Sequence, residues 1–244
     1  MDKQECQNCC GQVSALLREG AYDQALVVVS RALSSARKNG RLWEQLGVVH
    51  FVRQEFNSAR DALENATTLV PLSPLAQLYL AECYVASGAK ESARAIGHHL
   101  AFLPDVKESL FARLTTLLGK LGDCESALHV CRRAATAYPE DDQPIFGMAY
   151  YMSKLSYPLK KVLAVMRRAV ALAPDCVTYR ISLARLLDSD GQVDEAYQAL
   201  QGIDGAQFSK LRCRCCLKQL LSILLAAEDY ERCESVAGQL SALE

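Results

Sequence analysis

The sequence has no excess charge of either sign: 27 lysines and arginines stand against 28 aspartates and glutamates. That balance gives no electrostatic reason to expect a nucleic-acid duplex or an anionic membrane as the main partner. Long apolar runs are missing too, since no stretch approaches the roughly 18 uninterrupted apolar residues of a membrane helix. The first residues, MDKQECQNCCGQV, contain no apolar core of signal-peptide length. A soluble, cytoplasmic chain without membrane insertion is expected. Catalytic signatures are equally scarce: there is no phosphate-binding glycine loop, no HExxH, no nucleophile elbow and no CxxCH. Histidine occurs only at 50, 98, 99 and 129, and the adjacent pair His98–His99 diverges on a helix, a poor arrangement for one metal. No catalytic residue, cofactor or metal ligand is assigned.

Half of the 244 residues are hydrophobic, which suits a folded chain rather than a disordered one. Eleven cysteines are present, but the odd number and the chain length do not fit a small disulfide-stapled secreted scaffold. Reduced thiols are therefore expected, with Cys83, Cys124, Cys131, Cys176 and Cys233 packing as small apolar groups.

One short signal recurs along the chain: GAYDQA from Gly20, EFNSA from Glu55, GAKESA from Gly88, GDCESA from Gly122, GQVDEA from Gly191, and AEDYERC ending at Cys233. Their last small residues are Ala25, Ala59, Ala93, Ala127, Ala196 and Cys233, and the first four are 34 residues apart, the period of a helical repeat array. Each copy reads as an elbow between two helices. A glycine ends one helix by entering the left-handed region, an acidic or amide residue opens the next, and the small residue lets the two helices approach closely. Proline follows the second helix at Pro71, Pro104, Pro139 and Pro174 and blocks its continuation.

On these residues the chain resembles the tetratricopeptide repeat family. In segment 40–73, Trp43, Leu46, Gly47, Ala59, Leu63, Ala66 and Pro71 fill the family's signature positions. The resemblance implies an all-α solenoid, a superhelix of about seven antiparallel helix pairs, with repeats at 6–39, 40–73, 74–107, 108–141, 143–176, 177–210 and 214–244, the last one short. Because Tyr230, Cys233, Val236, Ala237 and Leu240 form one apolar stripe with a polar face behind it, the last repeat is expected to cap the array. The first repeat has Val13 at a usually small position and lacks the closing proline, and Phe208 replaces the proline of the sixth. The fifth departs most, with Tyr150 at the usually small eighth position, Val162 for the elbow alanine and Tyr157-Pro158 in place of the glycine turn. Its packing is expected to be looser, a hinge in the array.

The resemblance further implies that the first helix of each repeat lines a concave groove that holds a segment of another protein, the chain being a non-enzymatic scaffold or adaptor. Carried onto this sequence, the groove positions give Leu17, Glu44, Val48, Phe51, Leu78 and Glu82, a mostly apolar half with two carboxylates. They continue as Lys120, Tyr151, Lys154, Arg185 and Lys218, a basic stripe with one aromatic ring. An apolar helix or extended segment at one end and an acidic stretch at the other would suit it. The alternative is that Leu17, Val48 and Leu78 contact neighbouring helices and the four cations form a solvated face. The family's carboxylate clamp is absent from the first three repeats, where Cys10, Ser14, Glu44, Val48, Leu78 and Glu82 occupy its positions.

Two cysteine triplets, Cys6/Cys9/Cys10 and Cys213/Cys215/Cys216, lack a fourth Cys or His at zinc-site spacing. Small apolar packing accounts for the first. A thiol-based metal or redox sensor on the same helical frame is the alternative function these triplets raise.

Overall fold

Local signals in the sequence start and stop the helices of the computed structural model, which describes residues 3–208 and 211–242, without the side chains of residues 3, 4, 6, 205 and 206. Asn39 accepts hydrogen bonds from the N–H groups of Arg41 and Leu42, Ser73 from that of Ala76, and Asp141 from that of Gln143. Each satisfies donors that an unfinished first turn leaves open. Between paired helices the chain bends through one left-handed residue: Gly20, Gly88, Gly122 and Gly191 in four turns, and Gln54, Ser156 and Glu228 in three others.

The fold is all-α, with no strand among the described residues. It divides into two compact units, residues 1–130 and 131–244, the boundary falling inside one helix. The first unit comprises α1 (Lys3–Arg18), α2 (Tyr22–Ser35), α3 (Gly40–Val52), α4 (Phe56–Thr67), α5 (Pro74–Ala86), α6 (Lys90–Phe102) and α7 (Phe111–Leu121). It ends within α8 (Cys124–Ala137). Each helix from α1 to α6 packs on the next, so the apolar stripe of one is covered by its neighbours on both sides. The second unit continues with α9 (Asp142–Lys154), α10 (Leu159–Leu172), α11 (Val177–Ser189), α12 (Val193–Ala199), the short α13 (Gly205–Phe208), α14 (Arg214–Ala226) and α15 (Tyr230–Ser241).

Closest approach falls where the small residues are. Ala25, Ala59, Ala93, Ala127 and Ala196 are all 0% exposed, and Cys233 is buried. A methyl group added at Gly47 would meet Leu63 Cγ at 2.5 Å, so α3 and α4 touch at a point only glycine allows.

One expectation for the fifth helix pair is overturned. Asp141 is the N-cap of α9, so the eighth helical residue is Ala149, 0% exposed, and not Tyr150, which is 47% exposed. The turn from α9 to α10 is one residue longer than that from α3 to α4, because Pro158 occupies the N-cap of α10 ahead of the first helical residue, Leu159. Counting back from Val162, the buried elbow residue, therefore lands one position late. No bulky side chain stands at the small position, and the steric reason for looser packing there falls away.

Candidate functional site

The residues assigned to a groove separate into those the fold consumes and those it leaves on the surface. Leu78 is 0% exposed and belongs to the core, so it offers a ligand nothing. Phe51, also buried, stacks on Tyr79 with ring centroids 4.0 Å apart and meets the edge of Phe56 at 5.6 Å. Glu44 is 5% exposed and braces the chain internally, accepting hydrogen bonds from Arg41 (2.8 Å) and from the N–H of Ser73 (3.2 Å), the N-cap of α5. Tyr151 is buried, a consequence of the same one-residue shift in α9. Leu17 and Val48 are half-buried and pack against core clusters. Four of the expected groove residues are thus core, and these two are partly engaged.

In the first unit, Glu82 and Lys120 line a pocket of about 230 Å³ together with Phe56, Val85, Arg113 and Thr116. Glu82 is already engaged: Arg113 donates to both of its oxygens, from Nε at 2.5 Å and from a terminal nitrogen at 2.8 Å. The Arg113 guanidinium also lies over the Phe51 and Tyr79 rings, 5.0 and 4.8 Å from their centroids. Hydrogen bonding to Glu82 raises the Arg113 pKa, and burial raises that of Tyr79.

The second unit holds the larger pocket, about 420 Å³, formed by α9, α10, α11 and α14. Lys154 and Arg185, both read from the sequence, line it, whereas Lys218 is exposed on α14 outside it. Lys120 belongs to the first unit's pocket. The residues that complete the site were not foreseen: Phe146 and Tyr150 from α9, Ser182 and Ser189 from α11, and Gln219 from α14. Counting α9 from Asp142 would have found the two rings, since Phe146 and Tyr150 then stand at its fifth and ninth positions. No periodic signal marks Gln219.

Hydrogen bonds fix the floor of this pocket. Arg185 Nε donates to Gln219 Oε1 at 2.9 Å, and the Gln219 amide nitrogen donates to Arg185 O (2.9 Å), Asp188 (3.0 Å) and Ser189 Oγ (3.1 Å). Phe146 is held by a stack on Tyr179, 4.3 Å between centroids, and the Tyr179 hydroxyl donates to Asp142 at 2.6 Å. The Lys154 ammonium lies 5.6 Å from the centre of the exposed Tyr150 ring. Two cations, two aromatic rings and four uncharged polar side chains, Ser153, Ser182, Ser189 and Gln219, thus line one concavity.

A cluster of metal-ligating side chains also occurs in this unit, Cys213, Cys215 and Cys216 at the start of α14. Of the other triplet, Cys9 and Cys10 are half-buried against the core of α1 to α3, and the Cys6 side chain lies outside the described residues. Among the described residues no helix is long and apolar enough to cross a membrane.

Antiparallel helix pairs packed on one another within each unit are the architecture of a helical repeat. The tetratricopeptide repeat family model matches residues 51–98, so this segment is tetratricopeptide repeat sequence, and the all-α fold is that of tetratricopeptide repeat proteins. The C-terminal part of a repeat-containing protein from Cytophaga hutchinsonii superposes with a TM-score of 0.65 at 10% identity, over 96% of this chain and 95% of that one. PilF of Pseudomonas aeruginosa gives 0.61 at 17% identity, over 84% and 91%. YrrB, described as a repeat protein with an unusual peptide-binding site, gives 0.58 at 15% identity, over 70% and 88%. No curated protein sequence matches the chain.

Proposed function

We propose that this protein is a non-enzymatic interaction scaffold that holds an extended segment of a partner protein, and that the pocket of the second unit is its main contact. One observation carries the reading: Lys154 and Arg185 line the same concavity as the Phe146 and Tyr150 rings. Two cations beside apolar ring faces suit an acidic side chain next to an aliphatic or aromatic one. A backbone N–H of the bound segment would find an acceptor in the Ser182 hydroxyl oxygen, whose proton is donated to Thr178 O. A volume of about 420 Å³ takes a few side chains and not a folded domain. The peptide-binding site named for YrrB supports the same use of the fold.

Fluorescence anisotropy with a library of acidic-aromatic peptides tests it, comparing the wild type with Lys154→Glu/Arg185→Glu, Tyr150→Ala and, outside the pocket, Lys218→Glu. Losses of tenfold or more, about 1.4 kcal/mol, are expected for the first two variants and none for the third. Equal binding by all four proteins would retire the pocket as the binding site.

A further inference from the structure

From the Cys213-Arg214-Cys215-Cys216 run we infer a binding site for one soft monovalent cation, copper(I), held by three thiolates at the start of α14. The three Sγ atoms all lie within 4.8 Å of one another, and those of Cys213 and Cys215 are 2.8 Å apart. Cys213 is the N-cap of the helix, so its side chain folds back over the first turn, where Cys215 and Cys216 stand. The convergence is built by the helix start itself and needs no rearrangement of the backbone.

Among the described residues this is the only convergence of three or more such ligands, and it includes no His, Asp or Glu. That composition selects the metal. Zinc in a structural site takes four protein ligands, and magnesium or calcium takes oxygen. An all-sulfur set of three suits copper(I), a soft ion that accepts low coordination numbers. With metal–sulfur bonds near 2.3 Å, a planar set of three sulfurs has them about 4.0 Å apart, inside the 4.8 Å envelope, and the 2.8 Å pair must open to reach it. Cys213 and Cys215 are exposed and Cys216 half-buried, so the ion can reach the site from solvent. Binding releases the three thiol protons and leaves a net charge of minus two on the cluster. The N-terminus of α14 offsets part of that charge.

The test uses the full reduced chain under anaerobic conditions, with copper(I) supplied as its acetonitrile complex against a chromophoric copper(I) chelator. Wild type is expected to withdraw one equivalent and to develop the ultraviolet thiolate-to-copper band. Cys213→Ser/Cys215→Ser/Cys216→Ser should lose that equivalent, with at least about a hundredfold weaker competition. Cys9→Ser/Cys10→Ser should keep it, and circular dichroism should show equal helix content in all three proteins. Retention by the triple variant overturns the site, as does failure of the wild type to compete. A preference of the wild type for zinc(II) over copper(I) overturns the choice of ion.

Discussion

Phe51 of α3 and Tyr79 of α5 lie face to face, their ring planes 4° apart, with the Arg113 guanidinium above both. This pair joins neighbouring helix pairs of the first unit. Phe51→Ala removes the buried ring and is expected to cost about 3–5 kcal/mol. Arg113→Met, which removes a half-exposed cation, should cost about 1 kcal/mol. Urea denaturation followed at 222 nm measures both, and a larger loss for Arg113→Met than for Phe51→Ala would contradict the assignment of Phe51 to the core.

Gly47 and Leu63 interlock, and Leu63 is 0% exposed with nowhere to retreat. Gly47→Val should therefore destabilise the protein by about 1–3 kcal/mol through overpacking. Leu63→Ala alone should cost about 2–5 kcal/mol. The double variant should lose less than the sum, since the valine enters the space the leucine vacates. Additive losses in a double-mutant cycle would show that the two side chains do not share that space.

Asp229 caps α15 and ties it to Arg232 at 2.7 Å and to the Tyr197 hydroxyl at 3.0 Å. Arg232 also donates to the carbonyls of Leu200 and Ile203. Hydrogen bonds from Arg232 hold the Asp229 carboxyl below its ordinary 3.8, against the opposing effect of burial. A depressed folded value stabilises above the unfolded pKa and ceases to do so as the pH falls through the folded one. Asp229→Asn keeps the cap but loses the ion pair with Arg232, and should cost about 1 kcal/mol at pH 7. Its deficit against the wild type should shrink below about pH 4, and a deficit constant down to pH 2 would refute the linkage.

Cys83 is 1% exposed, and burial pushes its thiol from 9.0 up to about 11. An acid whose folded pKa is raised contributes stability fully present below the unfolded value and lost as the pH climbs through the folded one. The stability of the wild type should thus fall more steeply between pH 9 and 11 than that of Cys83→Ala, which is itself destabilised by on the order of 1 kcal/mol. Parallel curves from guanidinium melts across that range would dismiss Cys83 as a source of alkaline sensitivity.

The elbows were legible because a 34-residue spacing of small residues has one mechanical explanation, and every one of those residues is buried. The inward and outward faces of α9 were not. Sequence period alone cannot see that Pro158 adds a residue to a turn, and a shift of one residue rotates every side chain of a helix by about 100°. Hence Tyr151 was expected at the surface and Tyr150 in the interior, the reverse of their places. Glu44 misled for another reason: a carboxylate among apolar neighbours reads as a contact for a ligand, and besides Arg41 it has a partner, the N–H of Ser73, that lies 29 residues away. Lys154 and Arg185 were legible as cations outside the apolar stripes of their helices because that placement needs no tertiary knowledge to be recognised.

The left-handed residues Gln54, Ser156 and Glu228, with φ of 64°, 56° and 57°, occupy turns that glycine makes elsewhere in the chain. A side chain costs roughly 1 kcal/mol in that conformation. Packing of the flanking helices therefore offsets about 1 kcal/mol more at the turns of Gln54, Ser156 and Glu228 than at those of Gly20, Gly88, Gly122 and Gly191.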